Sequence, residues 1–144
     1  MEARDTLMYR EAGETAAVVR RQFAANEAVV ARLAAELKAA PPAFIVTCAR
    51  GSSDHAASYG KYVFETCLGV PVVSASPSVA SVYEVAPKWA GALFIAISQS
   101  GKSPDLLRNA EAAKAAGARV LALVNVEDSP LAHLADTVLP LHAG

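Results

Sequence analysis

Hydroxyl-bearing side chains crowd two short stretches of this sequence, Cys48-Ala-Arg-Gly-Ser-Ser53 and Ser98-Gln-Ser-Gly-Lys-Ser103. Each follows an apolar, β-branched run and precedes a helical pattern, so each is expected where a strand ends and a helix begins. In the first stretch Gly51 permits a tight or left-handed backbone. Ser52 and Ser53 then offer hydroxyls beside the free amides of a helix N-terminus, a combination that suits an anion. The same serines would also serve as plain helix caps, and this loop alone leaves both readings open. In the second stretch Ser103, with Pro104 after it, is a natural helix start. Capping needs only Ser103 and leaves Ser98, Gln99 and Ser100 unaccounted for. Each of these side chains donates hydrogen bonds suited to phosphate oxygens. Such density favours phosphate binding over an ordinary polar loop.

Other chemistries fare worse. Residues 96–103 read AISQSGKS, close to a nucleotide-binding P-loop. That loop needs glycine at both ends of its cradle, and Ala96 stands where the first should be. No later strand run ends in an aspartate placed for magnesium; the fourth ends in Asn125. His133 and His142 lack partners at ligand spacing, so no metal site is expected. His55, in the first turn after the Gly-Ser-Ser loop, reads either as a phosphate contact or proton carrier, or as a polar residue near a helix start. The second reading is preferred. Cys48 and Cys67 make neither a metal spacing nor a disulfide framework, and their apolar neighbours suggest buried free thiols. No cofactor is expected.

The elements that must position these loops follow from hydrophobic patterning. Apolar residues recur at helical spacing over residues 14–40, from Val18 to Leu37, as one long helix or two stacked ones. Pro41 and Pro42 end it. Five short apolar runs follow, at residues 43–48, 70–74, 92–98, 119–125 and 137–141. Continuous rather than alternating apolar character predicts strands buried on both faces, as in a parallel sheet. Helical patterns lie between them. Residues 53–68 align Ala56, Gly60, Val63, Phe64 and Cys67. Residues 104–116 align Leu106, Leu107, Ala110, Ala113 and Ala116, with Gly117 as the stop. Residues 77–84 form a shorter candidate. The predicted fold is α/β: a three-layer α/β/α sandwich on a five-stranded parallel sheet, preceded by a helical segment over residues 1–42. If the strand order is 2-1-3-4-5, the order reverses between strands one and three. Ligands bind at such a point, beyond the carboxyl ends of the strands, and both serine loops leave those two strands.

Composition narrows the classes. The 144 residues carry a net charge of −1, which gives no electrostatic argument for nucleic acid or an acidic membrane. No apolar run approaches the roughly 20 residues of a membrane span. Residues 1–10 hold acidic groups and no apolar stretch, unlike a secretory signal. A cytoplasmic location is expected.

At the two loops the sequence resembles the sugar isomerase (SIS) family. More narrowly, it is similar to the first lobe of the isomerase domain of glucosamine-6-phosphate synthases and of stand-alone deaminases. Met8-Tyr-Arg-Glu11 is similar to the family's opening helix, and Gly51 to Ser53 to its first turn. Ser98-Gln-Ser-Gly101 resembles its phosphate signature, with Ser103 at the usual threonine or serine. Asn125, Ser129 and Leu131 also resemble the family. The resemblance implies that Ser53, Ser98, Gln99, Ser100 and Ser103 contact the sugar phosphate; with Gly51, Ser52 and Gly101 of the two loops, these are the residues expected to bind a hexose or aminosugar phosphate. Lys102 and Arg50 depart from the pattern; Lys102 either adds charge near the phosphate or points to solvent, and solvent is preferred. Family members of this type carry a second lobe with the proton-moving residues, which this chain lacks after His142. Neither Glu65 nor Glu84 makes a good base for proton transfer between carbons. The expectation is a lobe from an isomerase, aminotransferase or deaminase acting on glucosamine 6-phosphate, inactive alone, without a glutamine-hydrolysing domain. A non-catalytic sugar-phosphate sensor is the alternative. The apolar helix faces suggest a homodimer.

Overall fold

The structure, a computed structural model, describes residues 2–143. Helix α1 (Leu7–Ala39) leads into strand β1 (Ile45–Ala49), followed by α2 (Ser53–Leu68), β2 (Val72–Ser74), α3 (Pro77–Ser81), β3 (Leu93–Ser98), α4 (Pro104–Ala115), β4 (Arg119–Val124), α5 (Pro130–Leu134) and β5 (Thr137–Pro140). The strands form one parallel sheet in the order β2-β1-β3-β4-β5. The predicted order and class therefore hold.

Alternation along each strand divides the core in two. Val46, Cys48, Phe94, Ala96, Val120 and Ala122 point to the face covered by α4 and α5. The alanines Ala110 and Ala113 of α4 are fully buried there, and their small side chains let the helix sit close to the sheet. Ile45, Val72, Leu93, Ile95 and Leu121 point to the other face, with Leu33 and Leu37 of α1 and Phe64 of α2. Phe94 is the largest side chain in the core with no exposure, and burying a side chain of that size is worth about 1.5–3 kcal/mol.

The long helix differs from the prediction. It is a single helix, and it begins at Leu7 because Thr6 caps it: the Thr6 hydroxyl accepts from the Tyr9 amide at 3.2 Å. Residues 7–17 are exposed, so they carry no apolar stripe from which a helix could be read. Further along, the Asn26 amide donates to the Pro140 carbonyl at 2.8 Å, and Arg21 donates to the His142 carbonyl at 2.8 Å. Glu36 pairs with Arg119. These contacts tie α1 to the β4–β5 edge.

Two expectations for α2 need correction. Ala57, not Ala56, is its buried residue, and Cys67 is exposed, so only Cys48 is a buried thiol. Adjacent alanines do not fix the phase of a helix, and α2 lies over the short edge strand β2, where Val73 and Ser74 are themselves exposed. The expectation of burial on both faces fails at that edge.

Candidate functional site

The first loop leaves β1 at Ala49 and turns at Gly51, whose φ of 58° is left-handed and suits glycine. The turn closes through backbone bonds alone. The Asp54 amide donates to the Gly51 carbonyl at 3.1 Å, and the His55 amide donates to the Ser52 carbonyl at 3.2 Å. Ser52 stands at the N-cap of α2 in a helical conformation, and its hydroxyl makes no cap hydrogen bond. The capping reading of this serine is thus removed.

The second loop is held from several sides. Ser98 closes β3, is 7% exposed, and accepts from the Gly101 amide at 3.0 Å. The Ser100 hydroxyl accepts from the Lys102 amide at 3.3 Å. The Gln99 carbonyl accepts from the Asn125 amide at 3.1 Å, and the Gly101 carbonyl accepts from the Leu131 amide at 3.2 Å. Gly101 has φ 63°, and a Cβ there would lie 2.6 Å from the Ser129 Cβ. Ser129 is fully buried and caps α5, accepting from the Ala132 amide at 3.3 Å. Ser103 occupies the N-cap of α4 with extended backbone, and its hydroxyl also makes no cap bond.

The two loops meet. One cavity of about 260 Å³ is lined by Gly51, Ser52, Ser53, Ser98, Gln99, Ser100 and Ser103, with Arg50, Ile97 and Leu106. All the predicted residues except Gly101 line it; Gly101 is buried beneath, against Ser129. The N-termini of α2 and α4 open on this cavity, and such ends attract anions through free amides and the helix dipole. A larger groove of about 830 Å³ runs between α1 and the β4–β5 edge, lined by Phe23, Val30, Leu123 and Leu139. Its walls are mostly apolar and lack the hydroxyl cluster.

Other predicted residues lie elsewhere. His55 is exposed and does not line the cavity. Lys102 is exposed and likewise outside the lining. Glu65 accepts from the Val72 amide at 3.1 Å, at the opposite end of the sheet from the serine loops. Glu84 is exposed, with φ 53°. Asn125 exchanges hydrogen bonds with Ala143, so its side chain holds the C-terminal segment.

Sequence reasoning missed three features. Buried Asn109 donates to the Pro77 carbonyl at 2.7 Å and the Asp105 carbonyl at 2.8 Å, which ties α3 to α4. Asn26 anchors α1, as described above. Arg50 pairs with Asp105, linking the two loops. A polar residue on an otherwise apolar helix face is a signal for the first two. The last joins residues 55 positions apart, which spacing does not reveal. The buried Cys48 thiol lies beside the first loop; burial, then the charges of Asp105 and Asp54, push its pKa up to about 12 against the opposing pull of Arg50.

A family model described as "SIS domain" matches residues 42–144. The chain belongs to the SIS family. Among curated relatives, the SIS chain is 39% identical over 113 residues to a glutamine--fructose-6-phosphate aminotransferase [isomerizing] of Symbiobacterium thermophilum, covering 77% of this chain and 18% of that protein. It therefore spans less than a fifth of that relative's length. A crystal structure from Silicibacter pomeroyi, described as a phosphosugar isomerase, matches with a TM-score of 0.90 and 44% identity, over 94% of this chain and 41% of that one. NanR of Vibrio vulnificus, solved with ManNAc-6P, shares the fold at a TM-score of 0.71 and 16% identity, over 94% of this chain and 51% of that one. The SIS fold thus carries this chain's serine loops at its topological switch point. Among the described residues no helix is long and apolar enough to cross a membrane.

Proposed function

We propose that this chain is the phosphate-gripping SIS lobe of an aminosugar-phosphate isomerase, aminotransferase or deaminase, binding glucosamine 6-phosphate or a close hexose phosphate. The observation that carries the reading is the pair of N-cap serines, Ser52 and Ser103, whose hydroxyls leave their own helices uncapped while lining one cavity. Serine at an N-cap normally bonds the helix amides. Here the hydroxyls are left for a ligand, because the Asp54, His55 and Leu106 amides that they would cap find other acceptors. Ser53, Ser98, Gln99 and Ser100 add further donors around it, and Gly51 and Gly101 set the turns. The binding unit in this reading is residues 43–144, with residues 1–42 as a helical arm.

The cavity lining holds no carboxylate or imidazole, so the lobe grips and the proton transfers fall to groups outside it. The parent reaction, glucosamine 6-phosphate to fructose 6-phosphate with the amino group released or exchanged, needs a positioned base. In this reading that base comes from a second lobe, and the chain alone does not turn over. The same lining suits a sensing module, since gripping a sugar phosphate needs no proton-moving group. In both readings the protein works in the cytoplasm. A homodimer would cover the exposed Leu7, Met8 and Phe23 of α1, and sedimentation at high concentration measures it.

Calorimetric titration of the chain with glucosamine 6-phosphate tests the site. Ser98→Ala with Ser100→Ala is expected to weaken binding by about tenfold or more, the equivalent of roughly 1.4 kcal/mol. Unchanged affinity in a folded double variant would remove the assignment.

A further inference from the structure

The cavity between the serine loops is lined by a single cation, Arg50. Its other donors are neutral hydroxyls, an amide side chain and backbone N–H groups. Arg50 follows the last residue of β1, and its guanidinium reaches Asp105, in the first turn of α4. The ion pair joins the two loops that the cavity separates. Its two members are held very differently. The Arg50 side chain is 61% exposed, on a long flexible stem. Asp105 is 25% exposed, and its other oxygen accepts from the Leu106 amide at 3.0 Å. The carboxylate is therefore fixed to its helix, and the guanidinium is the partner free to move.

We propose that Arg50 makes this site selective for the phosphate dianion, with Asp105 as its resting partner when the site is empty. The proposal rests on the phosphate-binding reading above and adds the charge that the serine loops lack. A phosphate monoester carries close to two negative charges at neutral pH, with a second pKa of about 6, against one for Asp105. The planar guanidinium also fits phosphate oxygens through two parallel N–H bonds. A phosphate at the helix ends competes for Arg50 on both counts, and the guanidinium turns from the rim to the ligand. Breaking the pair costs little, since an exposed ion pair is worth about 0–1 kcal/mol. A monoanion of the same size competes less well, and that difference is the source of the selectivity.

The experiment is a double-variant cycle. Binding is read by calorimetric titration with glucosamine 6-phosphate, inorganic phosphate and glucose 6-sulfate, a monoanion of similar shape. Arg50→Ala is expected to weaken glucosamine 6-phosphate about tenfold, the loss of one charge-assisted contact. It is expected to weaken glucose 6-sulfate by a smaller factor. Asp105→Asn retains the acceptor for the Leu106 amide and releases Arg50, so it is expected to tighten phosphate binding severalfold. In the Arg50→Ala background the same Asp105→Asn change is expected to do nothing. Equal tightening in both backgrounds would make Asp105 a simple source of repulsion and overturn its role as resting partner. Unchanged affinity in Arg50→Ala, with Ser98→Ala plus Ser100→Ala still weakening it, would overturn the role of Arg50 and leave the phosphate site standing. Absence of hexose-phosphate binding by the unsubstituted chain would remove the site and this proposal together. Inorganic phosphate binding that responds to Arg50→Ala while the sugar phosphate does not would also contradict the proposal. Circular dichroism of each variant separates loss of binding from loss of fold.

Discussion

Residues 98–103 and residues 50–53 face the same cavity and end on the same chemistry, yet they are held in opposite ways. The β3–α4 loop has its first serine buried, two side-chain bonds to its own amides, and backbone bonds to the segments following β4. Gly101 lies wedged against Ser129. The β1–α2 loop has the backbone bonds of its own turn and one side-chain tie, the Arg50–Asp105 ion pair, and Gly51 and Ser52 are exposed. Around a Cβ added at Gly51 nothing lies within 4 Å. One loop is a preformed cradle, the other an adjustable rim. Pre-organised donors lower the cost of binding, while a movable rim admits the ligand. The central strands β1 and β3 supply both properties at adjacent tips.

The largest test of this contrast is a matched pair of substitutions. Gly101→Ala meets both a left-handed backbone, about 1–2 kcal/mol, and the Ser129 side chain, about 1–3 kcal/mol of overpacking. A loss of stability of about 3 kcal/mol is expected by urea denaturation, with loss of phosphate binding. Gly51→Ala meets only the backbone term, about 1–2 kcal/mol. Equal losses would erase the distinction between cradle and rim.

Cys48 offers a second probe, beneath the rim. Its folded pKa is raised from 9.0 to about 12, chiefly by burial. The raised value stabilises the fold fully below the unfolded pKa, and that contribution is lost as pH climbs from about 9 toward 12. The slope is about 1.4 kcal/mol per pH unit for this group. Replacing Cys48 by Ala is expected to flatten the alkaline fall in stability. Exposed Cys67 is expected to react with a thiol reagent at pH 8, while Cys48 reacts only on unfolding. Rapid labelling of Cys48 in the native protein would mean the rim opens far more than its turn suggests.

The smallest effect separates two serines of the same type. Ser129 caps α5, so Ser129→Ala is expected to cost about 1 kcal/mol. Ser52 makes no cap bond, so Ser52→Ala is expected to leave stability within about 0.5 kcal/mol while weakening phosphate binding. A cap-sized loss at Ser52 would return that serine to an ordinary structural role.

The sheet was legible because its strands are continuous apolar runs: residues 92–98 and 119–125 contain Leu93–Ser98 and Arg119–Val124. Strand order was only assumed from the residues, and it was the family resemblance at the Gly-Ser-Ser and Ser-Gln-Ser-Gly loops that implied it. What stayed hidden depends on contacts distant in sequence. The first turns of α1 carry no apolar stripe, and their helix is set by the Thr6 cap. The phase of α2 hung on the choice between Ala56 and Ala57. The difference between the loops was invisible, because Ser129 and Leu131 lie almost thirty positions from the glycine they hold. The unused hydroxyls of Ser52 and Ser103 likewise needed coordinates, since sequence cannot tell a serine that caps from one that waits.

A crystal structure of the chain soaked with glucosamine 6-phosphate reads the central claim most directly. The account predicts the phosphorus between the two strand tips, with oxygens within hydrogen-bond distance of Ser98 or Ser100 on one side and Ser52 or Ser53 on the other. Phosphate bound outside this cavity, or touching only one of the two loops, would contradict it.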